Sequence, residues 1–581
     1  MNSLPGSICL ALVMLASGIT TLAAEPTLVL HHGKIVTVDG RFSIQQAVAI
    51  ADGKILAIGS NADILKLRGT GTEVIDLHGR MLLPGLMDSH AHSAHACMTE
   101  FEHTIPTMET IEDVLDYIRD CASKAREGEW IEVRQVFITR LKEQRYPTRA
   151  ELDRVAPKNP VLFATGPDAS LNTLALKLNG IDKIFKVSDG GTGFAERDLT
   201  TGEPTGILRN CTRYVKIPTN SVAPTLQHKA QRLQELFADY NSVGITTICE
   251  RDAYPDDAEL YQYVREHGQP TVRVRLSSHV DSIGPIEKVI ADIHKVAADP
   301  LFHRNDDWLQ VIGIKTYLDG GMLTGSAYMR QPWGVSQIYS IRDPDYRGVL
   351  FIPKDRLVPM VRAAVESGLQ FTAHSVGDGA VHTLLDAYEE VNKTTPVRKS
   401  RPCISHSNFM SREAVEQAAR LGVMMDIQPA WLYLDGHTLL KQFGYERLSY
   451  FQPLRSLFEA GAIAGGGSDH MQKIGSLRSV NPYNPFLGMA TAITRQPKNT
   501  ARKLHPEQAL TREQAIRFYT INNSQILGCE NRLGSLEPGK LADFIVLDTD
   551  LLTCSERNIT KTKVLRTYAG GKLVYRAPGE K

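Results

Sequence analysis

Four histidines and one aspartate in this 581-residue sequence have the types and spacing that a divalent metal site requires. His90 and His92 are two positions apart, and residues two apart in an extended strand point the same way, so both imidazoles can coordinate one ion. His374 and His406 each end an apolar run, and Asp469 follows a Gly-Gly-Gly-Ser run. Each residue alone has an ordinary structural explanation. Together they predict a metal centre, in which the cation would offset the cost of burying the Asp469 carboxylate.

Four further residues are conditional members of the site. Lys315 ends another apolar run; a protonated lysine has no lone pair for a metal, but a carbamate formed from its amine and CO₂ is an anion that can bridge two ions. Trp333 and Trp431 fall in or near predicted loops and could line a pocket, although ordinary packing is the favoured explanation for single aromatic residues. Arg495 could bind a substrate carboxylate or pair with an internal acidic residue.

The sequence pattern of the segments that must position these side chains predicts a parallel α/β fold. Short apolar segments alternate with helical stretches. Eight strand candidates occur: the run into His90, 244–249, 271–276, 309–315, 369–374, 403–406, 423–427 and 462–469. Eight such units predict a distorted (β/α)₈ barrel, whose catalytic groups lie at the C-terminal ends of its strands. All the candidate metal ligands fall there.

Residue spacing predicts an insertion after the first barrel strand. His374 and His406 are 32 positions apart, which fits one β-α-β unit of roughly 30 residues or more. His92 and Lys315 are 223 positions apart, far more than the three intervening units need. More than about a hundred residues are therefore inserted, between about 95 and 235 by the same rule. We expect the insertion to cap the barrel mouth and shape a substrate pocket.

The sequence pattern predicts β structure at both ends of the chain. Asp52-Gly53 joins two apolar runs as a hairpin turn, and a second predicted hairpin turns at Gly570-Gly571 near the C-terminus. We expect a small β-sandwich domain composed of residues 25–83 and 525–581, with the barrel in residues 84–524.

The first residues resemble an export signal. An apolar stretch from Ile8 to Leu22 is followed by Ala23 and Ala24, as in a signal peptide, although no Lys or Arg precedes it. An uncleaved anchor is the alternative, but the run is short for a membrane span. We expect cleavage near residue 24 and a periplasmic or secreted protein. Cleavage would leave seven of the eight cysteines, with no CxxC pair, so a dense disulfide scaffold is not indicated.

The amino-acid composition narrows the classes of molecule that the protein is expected to bind. Lys+Arg and Asp+Glu are both 65, so nothing favours nucleic acid or an anionic membrane surface. We expect a small-molecule substrate, and no membrane partner beyond the export signal. Self-association into a homo-oligomer is compatible with the sequence.

Several segments together resemble the amidohydrolase superfamily, and specifically amidohydrolase family 3, the branch of N-substituted formamide deformylase-like proteins. They are Pro84-Gly-Leu-Met-Asp-Ser-His-Ala-His, Gly313-Ile-Lys-Thr-Tyr-Leu-Asp-Gly, His374-Ser-Val-Gly-Asp, Ile404-Ser-His, Gly467-Ser-Asp and the tail Arg532-Leu-Gly-Ser-Leu-Glu-Pro-Gly-Lys-Leu-Ala-Asp-Phe. The resemblance covers residues from about 27 to the end.

The resemblance implies a barrel that holds one or two divalent ions, commonly zinc. It makes His90, His92, His374 and His406 ligands, Lys315 the position that is carboxylated in two-metal members, and Asp469 both ligand and proton shuttle. Four positions depart from the family pattern and leave the substrate open: Ser405, His470, Pro167 and Asn210.

The expected reaction is hydrolysis of a non-peptide C–N bond by metal-activated hydroxide. A bound metal lowers the pKa of water from about 15.7 to roughly 7. Asp469 would accept the water proton and deliver it to the leaving nitrogen. Deamination, or opening of a cyclic amide or lactone, would use the same site. An exported protein that binds metal or ligand without catalysis is the alternative of another class; a glycosidase would need paired carboxylates instead.

Overall fold

The computed structural model describes residues 25–134, 136–218 and 223–580. The predicted signal peptide, residues 1–24, lies outside the described residues.

The centre of the molecule is an eight-stranded parallel sheet whose strands follow one another in chain order. The strands are β1 (Leu86–Ala91), β2 (Ile245–Ala253), β3 (Arg273–His279), β4 (Leu309–Tyr317), β5 (Gln370–Ser375), β6 (Cys403–His406), β7 (Met424–Ile427) and β8 (Ala464–Gly466). Every strand lies in one of the eight predicted segments or overlaps it. Most of their residues are buried, as expected for parallel strands covered on both faces. The predicted α/β barrel is confirmed.

Helices cover the outside of the sheet. Apart from the helices of the insertion and of the small domain, the helices between the strands or after β8 are Leu226–Ser242, Pro255–His267, Ile286–Ala297, Pro300–His303, Lys354–Glu366, Asp378–Asn392, Arg412–Leu421, Pro429–Phe443, Leu454–Glu459, Pro485–Thr494, Arg512–Phe518 and Ile521–Ile526. Helix 378–392 is typical: Val381, Leu384, Leu385 and Tyr388 lie on one face and are fully buried against the sheet and its neighbours. The Tyr388 hydroxyl also donates to the carbonyl of Phe371 in β5.

The seam between β1 and β8 closes the barrel at the point where candidate ligands lie. The Asp469 amide donates to the His90 carbonyl at 2.8 Å, and the His92 amide donates to the His470 carbonyl at 2.8 Å. A Cβ added at Gly467 would lie 2.8 Å from the Cβ of His90, so glycine permits this close approach of the two chain segments.

Two further sheets are built from both ends of the chain and share an apolar core that includes Leu30, Val48, Leu82, Phe544 and Tyr568. One sheet has the order Lys54–Gly59, Ala47–Ala51, Leu28–His31, Glu73–Asp76. The other has the order Lys572–Arg576, Val564–Ala569, Phe544–Leu547, Met81–Pro84, Lys34–Val36, Ile44–Gln45. These sheets, with the short helices Asn61–Leu65 and Glu556–Ile559, form the separate small domain.

The connection from β1 to β2 carries a fourth sheet, which has five strands in the order Phe194–Arg197, Pro204–Arg209, Ala169–Leu171, Val161–Ala164, Ile131–Arg134. Its helices are Ser93–Ala96, Ile111–Lys124, Arg149–Val155 and Thr173–Leu178. Arg209 is buried, pairs with Asp168 and donates to the carbonyls of Thr324 and Tyr339. These bonds attach the insertion to the long connection after β4.

The seven cysteines within the described ranges are all free thiols. Among the helices of those ranges, none combines the length and apolar character needed to cross a membrane.

Candidate metal centre

The four histidines and the aspartate converge at the C-terminal ends of the barrel strands. His90 lies in β1 with His92 just after it, His374 lies in β5, His406 ends β6, and Asp469 follows β8. The ring centroids of His90 and His406 are 4.7 Å apart, and those of His374 and His406 are 4.5 Å apart. Oδ1 of Asp469 lies 3.3 Å from Nε2 of His90 and 3.1 Å from Nε2 of His92. Residues from four strands thus face one point.

The donor atoms fit a divalent ion. One atom each of His90, His92 and Asp469 lies within 4.8 Å of the other two. Nε2 of His90 is buried and has no hydrogen-bond partner within the described protein, which is costly for an imidazole nitrogen unless it bonds to something else. Imidazole nitrogen and carboxylate oxygen are the ligands that Zn²⁺ takes in catalytic sites. The residues present therefore suit such an ion.

Two buried side chains orient the imidazoles. Oδ1 of Asp426 in β7 lies 3.0 Å from Nδ1 of His90, and Oε1 of Gln428 lies 2.8 Å from Nδ1 of His406. The Gln428 amide nitrogen donates to Asp426 at 3.0 Å, which fixes its carbonyl end towards His406. Each acceptor takes a hydrogen bond from the Nδ1–H group, and the Nε2 lone pair is left facing the centre.

The electrostatics of the site keep three imidazoles neutral. Burial and the nearby Lys315 lower the pKa of His374 to about 3. Burial, above all, also holds the pKa values of His90 and His406 well below the usual range. A neutral imidazole has the lone pair that metal binding requires. At His92 burial is outweighed by hydrogen bonds to carboxylates, Asp469 foremost, which raise the pKa to about 10.

Lys315 reaches the same cavity from β4. Its side chain is buried, and Nζ lies 4.6 Å from the ring centroid of Tyr317. Burial lowers the pKa of the Lys315 amine, and the nearby Asp252 carboxylate opposes that shift. Asp252 is itself held by Nδ1 of His279 at 2.7 Å and by the hydroxyl of Tyr317 at 2.9 Å.

Three residues at the strand ends have backbone conformations that non-glycine residues rarely adopt. The φ angles are +93° at Asp252, +79° at His406 and +56° at Asp469. Such strain persists only where the surroundings impose it, and it concentrates at functional sites. Here it turns side chains at three strand ends into the cavity, which all three line.

The cavity over the centre has a volume of about 730 Å³, within the range of small-molecule sites. Trp431 lines it and stacks on the His406 ring, with centroids 5.0 Å apart. Trp333 does not line it: the side chain is buried, and its indole nitrogen donates to the Ala327 carbonyl. Arg495 is also fully buried, and its guanidinium donates to three backbone carbonyls. Neither Trp333 nor Arg495 therefore lines the cavity, and both side chains bond to backbone carbonyls elsewhere in the described structure.

Several site residues were missed by sequence reasoning: Asp426, Gln428, Asp252 and Glu250. Glu250 lies 3.6 Å from Nδ1 of His92. The available signal was a set of polar residues at the ends of apolar strands, in Cys249-Glu-Arg-Asp and Met424-Met-Asp-Ile-Gln.

Three of the four positions that depart from the family pattern have defined surroundings in the structure. Ser405 donates to Oδ2 of Asp426 at 3.0 Å. The His470 ring is bonded to Tyr240 and to the Lys473 carbonyl, so it takes no part in the cluster of ligands. Pro167 lines the cavity, where it is a candidate determinant of substrate shape.

Comparison with known proteins gives consistent matches. The family model described as "Amidohydrolase family" matches residues 73–575. N-substituted formamide deformylase of Arthrobacter pascens is 28% identical over 573 residues, covering 95% of this chain and 99% of that protein. An uncharacterized metal-dependent hydrolase from Pyrococcus horikoshii superposes with a TM-score of 0.66 at 21% identity, covering 91% of this chain and 99% of that one. An adenosine deaminase from Xanthomonas campestris with bound zinc has a TM-score of 0.52 at 14% identity, covering 95% and 93%. The two solved structures share the fold with this chain.

Proposed function

This chain belongs to the amidohydrolase family and is a metal-dependent hydrolase, and on that premise we propose that it cleaves a non-peptide carbon–nitrogen bond of the amide type. The observation that carries the proposal is the convergence of His90, His92 and Asp469 on one point at the floor of a cavity. The full-length similarity to a formamide deformylase supports the amide type of bond.

We propose Zn²⁺ as the ion. Held by these side chains, it would activate a water molecule and polarise the scissile carbonyl. Asp469 would take the proton of the attacking water and deliver it to the leaving nitrogen. Asn481 donates to Oδ2 of this carboxylate at 3.3 Å and to the Asp469 carbonyl at 2.8 Å, which fixes its orientation. Trp431, next to His406, would cover the reacting group from one side and exclude bulk water.

The chemical state of Lys315, free amine or carbamate, distinguishes a centre with one ion from a centre with two. Burial favours the neutral amine, which is the form that reacts with CO₂, and a carbamate there would supply an anionic bridging ligand. Intact-protein mass spectrometry under native conditions, together with metal analysis, tests this proposal. An added mass of CO₂ with two equivalents of metal supports a two-ion centre. The unmodified mass with one equivalent supports a one-ion centre.

The lining of the cavity favours a neutral substrate with an apolar arm. Apolar and aromatic side chains form much of the wall: Met98, Phe137, Tyr254, Leu260, Tyr317, Met322, Leu323, Trp431 and Met471. Asp256 and Asp257 add negative charge, and the basic side chains among the described lining residues are Lys229, Lys315 and the histidines. A free substrate carboxylate would meet no arginine among those lining residues. We therefore propose N-acyl or N-formyl amines as substrates rather than N-acyl amino acids.

The role of Asp469 is tested by Asp469→Asn, which preserves size but removes the basic oxygen. We expect kcat to fall by about 10²–10⁴-fold, the usual contribution of a general acid–base, while most of the metal remains bound. The matched control is Asp239→Asn, which removes a carboxylate that accepts the Tyr483 hydroxyl outside the cavity. Near wild-type turnover in Asp469→Asn would exclude the shuttle.

The bond type is tested by a hydrolysis screen of the reconstituted enzyme. The compounds are N-formyl and N-acyl amines, N-acyl amino acids, cyclic amides, lactones and aminopurines. Fastest turnover of a neutral N-acyl amine supports the proposal. Selective opening of lactones or cyclic amides, or selective release of ammonia from a ring, would replace it with one of those activities. Tight metal binding without turnover of any compound would favour a binding protein.

A further inference from the structure

A second group of metal-ligating side chains lies outside the barrel, on the small β domain. His31 ends the strand Leu28–His31, and Asp76 ends its neighbour Glu73–Asp76. One ligand atom each of His31, His32 and Asp76 lies within 4.8 Å of the other two. The ring centroids of His31 and His32 are 4.3 Å apart. None of these residues takes part in the chemistry described above.

Strand register and backbone conformation bring the group together. The two strands are parallel, and His31 is the register partner of Asp76, so both side chains emerge on the same face of the sheet. His32 would normally point to the opposite face. Its φ angle of +51° breaks the alternation and lets its Nδ1 reach Oδ2 of Asp76 at 2.8 Å. His78, with a φ angle of +49°, places its Nδ1 3.4 Å from the other oxygen, Oδ1.

The two loops that carry these residues are held rigidly against each other. The Leu77 amide donates to the His31 carbonyl at 2.8 Å, and the Gly79 amide donates to the His32 carbonyl at 2.6 Å. The Asn61 side chain accepts the His32 amide at 2.8 Å. The ligand positions are therefore set by the backbone before any ion binds, which reduces the entropy cost of binding.

The donor atoms suit a borderline transition-metal ion. Three imidazoles and one carboxylate offer nitrogen and oxygen ligands of the kind that Zn²⁺ uses. Nδ1 of His31 is buried and has no hydrogen-bond partner within the described residues, although the residue is partly exposed. The His78 amide also donates to Oδ1 of Asp76 at 2.8 Å, which helps to orient the carboxylate.

We propose that His31, His32, Asp76 and His78 form a second zinc site, which links the edge strand Glu73–Asp76 to its neighbour. This strand is paired on one side only, at the end of a four-stranded sheet. An ion at its C-terminal end would hold it in register. The site is independent of the barrel centre, and catalysis does not require it.

The test measures zinc equivalents in the intact, reconstituted enzyme by equilibrium dialysis against buffered Zn²⁺, with detection by mass spectrometry. The variants are the double substitution His32→Asn with His78→Asn, and Asp76→Asn alone. Asparagine tolerates positive φ angles, so it should preserve both loops. We expect each variant to bind one equivalent less than the wild type, with unchanged turnover. The control His294→Ala removes an exposed histidine from helix Ile286–Ala297 and should bind as the wild type does.

A second measurement separates binding from misfolding. Added Zn²⁺ should raise the thermal midpoint of wild-type enzyme whose barrel centre is already loaded, because an ion that binds only the folded state stabilises it. The same addition should leave the midpoint of the double variant unchanged. Equal zinc content and equal midpoint shifts in wild type and variants would overturn the proposal, whatever the activity of the barrel.

Discussion

Asp426 contacts both a candidate metal ligand, His90, and a buried arginine inside the barrel, Arg251. Asp426→Asn is therefore the most informative single substitution. One carboxylate oxygen faces Nδ1 of His90 at 3.0 Å, and the other lies 3.3 Å from Nε of Arg251. His90, Asp426 and Arg251 are all fully buried. Asparagine preserves the volume but removes the charge, so it weakens both interactions without leaving a cavity.

The expected magnitudes follow from these two contacts. Loss of a carboxylate that orients a metal-bound histidine typically costs 10–100-fold in metal affinity, or about 1.4–2.7 kcal/mol. Breaking a buried ion pair costs about 3–5 kcal/mol when the remaining charge has no other partner. Arg251 keeps several other partners, among them Ser277 at 2.9 Å, Gln370 at 2.7 Å and the Ser89 carbonyl at 3.1 Å. We therefore expect a stability loss of about 3 kcal/mol or less.

The assay is a competition between protein and a chelator for Zn²⁺, combined with thermal unfolding of the metal-free and loaded forms. Asp435→Asn is the matched control. That carboxylate is also fully buried and pairs with Arg140 at 2.8 Å, but it bonds to no candidate ligand. It should lower stability and leave zinc affinity unchanged. Equal zinc affinity in Asp426→Asn and Asp435→Asn would refute the orienting role of Asp426.

Three further predictions follow from other contacts. Trp431→Ala should raise KM about tenfold with a smaller change in kcat, since about 1.4 kcal/mol of aromatic contact is lost, and Trp431→Phe should change KM less; steady-state kinetics on the best substrate tests this. Arg273→Met should lower stability by about 3–5 kcal/mol without loss of metal, because it leaves the buried Asp543 carboxylate unpaired, as thermal unfolding and metal analysis would show. The hydrogen bond from Arg145, above all, lowers the pKa of Glu151 to about 2, so its stabilising effect is complete above about pH 4.5 and is lost as the pH falls towards 2. The difference in thermal midpoint between wild type and Glu151→Gln should therefore shrink over that range.

The strands and the principal candidate ligands could be predicted because their signals are local. A buried parallel strand reads as a short apolar run, and a histidine or aspartate at its end is visible in the same segment, as at His374 and His406. The unusual length between His92 and Lys315 likewise reveals an insertion without any knowledge of its structure. These features need only the order of residues and the geometry of a repeated unit.

The rest of the site depends on contacts between distant segments. Asp426 reaches His90 across 336 positions, and nothing in the strand Met424–Ile427 shows which way its carboxylate points. The positions of Arg495 and Trp333 away from the cavity could not be predicted for the same reason. Their polar groups bond to carbonyls of chain segments that only the folded structure brings near, so residue type alone gave no basis for a choice.

At the seam of the barrel, closure of the sheet and placement of the candidate ligands involve the same residues. His90 lies in β1, while His92 and Asp469 directly follow β1 and β8, and the backbone groups of these residues and of His470 make hydrogen bonds that join the two chain segments. A carboxylate from β1, Asp88, adds to the seam by accepting the amides of His90 and Ser468, each at 3.0 Å. The first and last strands of the barrel must therefore meet correctly before the imidazoles and Asp469 share one point. Closure of the fold and assembly of the metal centre are in this way the same structural event.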